Sequence, residues 1–136
     1  MIDEKTREIL LKSAKSVLEN AYAPYSMVQV AAAVLGGDGQ IYTGVNVENS
    51  SLGLTVCAER NAVGAMIANG CREIRAVLLI SSEGAIPPCG ACRQVIMEFA
   101  TDDTLVLLAG ESGIIEEYTL EELYPRIFNL GELFDG

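Results

Sequence analysis

CAERNAVGAMIANGCREIRAVLLI, residues 57–80, changes character once along its length. Residues 57–69 are Ala-rich and apolar and predict a helix. It stops at Gly70, a residue suited to the left-handed position just past a helix end. IRAVLLI at 74–80 is a continuous apolar run, expected of a strand covered on both faces. A buried helix feeding a doubly covered strand implies a sheet between helical layers.

Residues 90–100 repeat the helical pattern and TLVLLAG at 104–110 repeats the covered strand. GIIEEYTL at 113–120 predicts a last strand. TLEEL then carries a capping box, with Thr119 as N-cap and Glu122 three residues on. On the other side, VQVAAAVLGGDGQIYTGVNV at 28–47 reads as two strands joined by the turn GGDG. From Asp3 to Asn20 the apolar residues Ile9, Leu10, Ala14, Val17 and Leu18 recur at helical spacing, with Asp3 as N-cap. The order is helix, strand, strand, helix, strand, helix, strand, strand, helix. Its strand–helix–strand units call for crossovers and a partly parallel sheet. The expectation is one α/β domain over residues 1–136, a three-layer α/β/α sandwich around a mixed five-stranded sheet.

Nine basic and nineteen acidic residues leave a net charge of −10, which disfavours nucleic acid or an anionic membrane as partner. No run reaches the ~18 apolar residues of a membrane span. MIDEKTREIL is charged and lacks a secretory pattern, so a cytoplasmic protein with reduced thiols is expected. Half of the residues are hydrophobic, a high share for so small a chain, which either a well-filled core in a monomer or cover by other subunits accounts for.

There are four cysteines and no histidine. The C-x-x-C of PCGAC at 88–92 opens a predicted helix. That position lowers a thiol pKa and suits a redox pair and a metal ligand alike. Cys57 opens a second helix and favours the metal. Two helix N-termini aimed at one spot would gather Cys57, Cys89 and Cys92 as thiolates, and soft thiolates select zinc. Three protein ligands leave one tetrahedral position open, the mark of a catalytic rather than a structural zinc. Cys71 lies ~20 Å along the helix from Cys57 at 1.5 Å per residue, so it is expected to be a buried, inert thiol. Glu59, on the first helical turn, can lie beside the open position and carry a proton between water and substrate. By itself a glutamate there would be explained by the helix dipole.

The motifs AYAPYS (21–26), GVNVEN (44–49), CAER (57–60) and PCGACRQV (88–95) occur in that order. With them the chain resembles the small, homotetrameric type of cytidine deaminase over nearly its whole length. The resemblance implies that Cys57, Cys89 and Cys92 hold Zn²⁺ and that Glu59 is the proton shuttle of a hydrolytic deamination. It implies that Asn46 and Glu48 hold the ribose hydroxyls and that the Ala58 N–H meets the pyrimidine. Arg60 would donate hydrogen bonds to the thiolates. The implied substrate is a small nucleoside, cytidine or deoxycytidine, with no organic cofactor.

The sequence departs from the family at Val28, Ala31 and Leu52, where Phe, Gly and Tyr are usual. Val28 would then meet the base without an aromatic face. Phe128 resembles a late Phe that reaches a neighbouring subunit's site. A modified cytosine nucleoside such as blasticidin S is the alternative substrate. A non-enzymatic zinc-stabilised module and a C-x-x-C redox protein are the readings from other classes. The redox reading leaves Glu59 without a role.

Overall fold

A computed structural model describes residues 2–134. Helix α1 (Glu4–Val17) is capped by Asp3, whose carboxylate accepts from the Thr6 amide at 2.8 Å. A 3-10 turn at Leu18–Asn20 ends it. Strands β1 (Val30–Gly36) and β2 (Ile41–Val45) follow, then α2 (Ala58–Ala68), β3 (Ile74–Ser81), α3 (Gly90–Phe99), β4 (Ala100–Gly110) and β5 (Gly113–Thr119). Two short helices, α4 (Leu120–Leu123) and α5 (Leu130–Phe134), complete the described chain.

The five strands form one sheet in the order β2-β1-β3-β4-β5. β1 is antiparallel to both β2 and β3, β3 and β4 run parallel, and β5 returns antiparallel to β4. This is the mixed five-stranded sheet expected. Its two faces alternate strictly along β1. Ala31, Ala33 and Leu35 pack with Leu10 and Ala14 of α1. Ala32 and Val34 pack with Ala58, Ala62 and Met66 of α2 and Ile96 of α3. The sheet therefore has α1 on one side and α2 and α3 together on the other. No described helix is long and apolar enough to cross a membrane.

α2 ends in a Schellman arrangement. Gly70 has φ +88°, its amide donates to Ile67 O, and the Cys71 amide donates to Met66 O. At its other end α2 lies directly on β2. A Cβ on Gly44 would come within 2.4 Å of Ala62 N and 2.5 Å of Ala58 O, both backbone atoms.

Three local expectations differ from the structure. Ile9 is 45% exposed, because the buried stripe of α1 runs through Leu10 and Ala14 instead. β4 starts at Ala100 rather than 104, since Ala100 pairs with Ile74 ahead of an irregularity. The Thr119–Glu122 capping box forms, but its helix is a single turn. Pro125 follows at once, and a proline steers the residue before it, Tyr124, out of helical geometry.

Gly44→Ala should lower stability by roughly 1–3 kcal/mol or more, because the clash is with backbone that cannot swing aside. Gly53→Ala, whose added Cβ meets nothing within 4 Å, should stay within about 0.5 kcal/mol of wild type. Denaturant midpoints for the two variants test the contact, and equal midpoints would refute it.

Candidate active site

Cys57 and Cys89 are the N-caps of α2 and α3, both in extended backbone, and neither side chain caps its own helix. The positive N-terminal ends of both helices thus meet the sulfurs gathered between them. Cys92 sits on the first turn of α3, fully buried, whereas Cys89 is exposed. The sulfurs of Cys57, Cys89 and Cys92 all lie within 4.8 Å of one another. Cys89 and Cys92 are 3.4 Å apart and all four cysteines are free thiols. Zinc–sulfur bonds of about 2.3 Å in a tetrahedron put sulfurs about 3.8 Å apart, so the group fits a zinc ion in spacing and donor type.

Arg60 supplies a second indication. Its Nη2 donates to Thr55 O at 3.1 Å, while its buried Nε has no partner among the described residues. The guanidinium also lies beside the Cys57 thiol. Cys71 stands apart. It is buried beyond the far end of α2, with its sulfur 3.5 Å from Glu73 O and beside the Asp38 carboxylate.

The thiols differ in acidity. Burial pushes Cys57 up, and burial with the Glu59 charge pushes Cys92 up strongly. Burial also opposes ionisation of Cys89, but the amides of Cys92 and Ala91 and the neighbouring thiols draw its pKa below the usual value. The exposed thiol at the head of α3 is therefore the readiest to become a thiolate.

A cavity of about 190 Å³ opens over this group, lined among others by Asn46, Cys57, Ala58, Glu59 and Cys89. Its apolar walls are Val30, Leu79, Ile86 and Pro87. Sequence reasoning missed these four. Ile86 and Pro87 were within reach, since they lead into Cys89, whereas Leu79 is one letter in a uniformly apolar strand. Glu59 is only 5% exposed, and burial raises its carboxyl above the ordinary range. That suits a group which must both accept and release a proton near neutrality. A larger cleft of about 510 Å³ runs past Met97, Thr101, Leu120 and Tyr124, but no cysteine and no Glu59 lines it.

Asn46 and Glu48 hold the loop above the cavity. Asn46 Oδ1 accepts from the Val30 amide at 2.8 Å and its Nδ2 donates to Val28 O at 2.9 Å. Glu48 Oε1 accepts from the Tyr25 and Ser26 amides, and Oε2 accepts from the Ser26 hydroxyl. The Ser26 hydroxyl first, with these amides, holds the Glu48 carboxyl below its ordinary value. Between them Met27 adopts φ +63°, a strained conformation for a non-glycine residue. Val28 is half-buried and does not line the cavity, although its carbonyl is fixed by Asn46. Ala31 is buried on the opposite face of the sheet, against α1. Leu52 and Phe128 are exposed.

Residues 4–108 match the family described as the cytidine and deoxycytidylate deaminase zinc-binding region. The chain is 43% identical over 130 residues to a cytidine deaminase of Halalkalibacterium halodurans, a match covering 95% of this chain and 98% of that protein. The crystal structure of the cytidine deaminase from Burkholderia pseudomallei is similar with a TM-score of 0.82 at 40% identity, covering 89% of this chain and 98% of that one. That from Mycobacterium tuberculosis has a TM-score of 0.79 at 35% identity, covering 90% and 97%.

Cys71→Ser should leave zinc content at the wild-type level, while Cys89→Ser and Cys92→Ser should lose metal. Elemental analysis of the purified variants decides this. Zinc lost with Cys71→Ser would break the assignment of ligands.

Proposed function

The chain belongs to the cytidine and deoxycytidylate deaminase family, and from that premise we propose that it hydrolyses cytidine and deoxycytidine to uridine and deoxyuridine, releasing ammonia. The observation that carries the reading is one cavity lined by Glu59 together with Cys57 and Cys89, two of the three clustered cysteines. Zinc is the cofactor, held by Cys57, Cys89 and Cys92, and when bound it supplies a Lewis acid that readies water for attack near neutral pH.

The chain's own groups handle the protons. Glu59 accepts one from the attacking water and delivers it to ring N3 as C4 becomes tetrahedral. It then carries the second to the departing amino group, so that water and cytidine become uridine and ammonia. Burial of Glu59 raises its basicity, which favours proton uptake from the attacking water. Ala58 opens α2 and lines the cavity, which supports its amide as the donor to the pyrimidine. Arg60 offsets the surplus negative charge of three thiolates.

Asn46 and Glu48 retain capacity for a sugar diol. One Nδ2 hydrogen of Asn46 and a lone pair of Glu48 Oε2 are unused after the bonds to the loop. The chain carries −10 overall, a charge that disfavours a phosphorylated substrate and supports a nucleoside over a nucleotide.

The cavity is smaller than the ~300–1,000 Å³ typical of small-molecule sites, so it suits the base alone and leaves the sugar at the rim. Exposed apolar side chains crowd nearby segments of chain, with Met27 at 74%, Leu52 at 73% and Leu54 at 65% exposure. The two segments are joined by isolated bridges of Val47 to Tyr22 and to Val56. Association of copies would cover this surface, which supports a homo-oligomer, a tetramer by the resemblance to the small deaminases.

Ammonia release from cytidine, deoxycytidine, deoxycytidine monophosphate and blasticidin S tests the reading. The two nucleosides should be turned over and the monophosphate should not. Blasticidin S turned over in preference would shift the substrate to modified nucleosides. Glu59→Gln should keep one zinc per chain and lose activity ~10²–10⁴-fold, and near-normal turnover would remove Glu59 from its role. Sedimentation at micromolar concentration should give a tetramer, against which a fully active monomer would count.

A further inference from the structure

Residues 85–88 lead into Cys89 and bring Ile86 and Pro87 to the cavity wall. Two of the four are prolines without an amide hydrogen. Among the described residues a single hydrogen bond ties this stretch to the rest of the protein. Arg93 Nε donates to Pro88 O at 2.9 Å. The same guanidinium reaches the other way, its Nη1 donating to Leu123 O at 2.6 Å at the end of α4. Arg93 immediately follows Cys92 on α3, so its position is set by the helix that carries the buried thiol.

α2 repeats the device. Arg60, three residues after Cys57, donates to Thr55 O just ahead of that cysteine. Each helix-opening cysteine is thus tied back by an arginine near the start of its own helix. The need is greater at Cys89, which is exposed where Cys92 is buried and cannot rely on packing to hold its sulfur.

We propose that Arg93 is a positioning residue of the metal site. By spanning Pro88 O and Leu123 O it fixes the Cys89 thiol and the Ile86–Pro87 wall, without touching substrate. A planar fork with N–H groups on separate nitrogens can bridge two carbonyls on opposite sides, whereas the three N–H groups of lysine all sit on one nitrogen. Gln94, the next residue, provides the control. Its Nε2 donates to Phe128 O at 3.0 Å and its Oε1 accepts from the Tyr124 hydroxyl. It therefore docks the same C-terminal segment without contacting Pro88.

The test measures the zinc dissociation constant of the full chain by chelator competition, and the absorption spectrum of the cobalt(II)-substituted protein. Wild type, Arg93→Ala, Arg93→Lys and Gln94→Ala are compared. Both Arg93 variants should bind zinc at least ~10-fold more weakly and shift the cobalt bands, while Gln94→Ala stays within about twofold of wild type. If Arg93→Ala does not fold, Arg93→Lys decides alone. A folded Arg93→Lys with wild-type zinc affinity and cobalt spectrum would overturn the proposal. An equal loss in Gln94→Ala would also overturn it, by making C-terminal docking the cause. The inference rests on Cys57, Cys89 and Cys92 as the zinc ligands. A wild-type chain that binds no zinc fails that reading, whereas tight zinc in the Arg93 variants fails only this one.

Discussion

Three sulfurs within 4.8 Å of one another are the arrangement on which the rest of the site depends. As thiolates each pair would repel by about 4 kcal/mol at 4 Å in an effective dielectric of 20. A helix N-terminus returns only about 0.3–1 kcal/mol to a charge beside it, so two helix ends cannot hold three anions together. A cation is needed, and before it binds, burial keeps Cys57 and Cys92 protonated. The protein's part is geometric. α2 and α3 share one face of the sheet, and α2 is seated by backbone contact at Gly44. Cys57 and Cys89 can meet because the two helices begin side by side.

Two buried carboxylates near the cavity take opposite electrostatic paths. Glu48 accepts hydrogen bonds from a hydroxyl and two amides and is held ionised. Glu59 is buried on the first turn of α2, and desolvation raises its pKa. The first can anchor a loop and a sugar, and the second can pass a proton. The environment rather than the residue type divides these roles. Asn46 and Glu48 both bind backbone, so the loop carrying the strained Met27 depends on the side chains proposed to hold the ribose.

The periods of the sequence were enough for the element order, the covered strands and the caps at Asp3 and Thr119, because each depends on neighbours within a few residues. They were also enough to single out Cys57, Glu59, Cys89 and Cys92, since thiols at two helix starts beside an acid form an uncommon combination. The strand ends and the last helix were less legible. Ala100 joins β4 only because Ile74 lies alongside it, and Pro125 stops α4 after one turn.

Other properties of the site belong to the tertiary structure. Leu79 and Val30 became pocket walls through the register of β1 against β3, which no local pattern encodes. Val28, a contact of the base only by resemblance to the family, lies outside the lining of the cavity. Arg93 looks like an ordinary helical arginine until the fold brings Leu123 O to its far side, thirty residues on. The sequence by itself determined which chemistry was possible, through residue types and their helical phase. Which groups share a cavity and which side chains hold the ligands in place was decided by long-range packing, because those contacts join residues whose letters carry no record of one another.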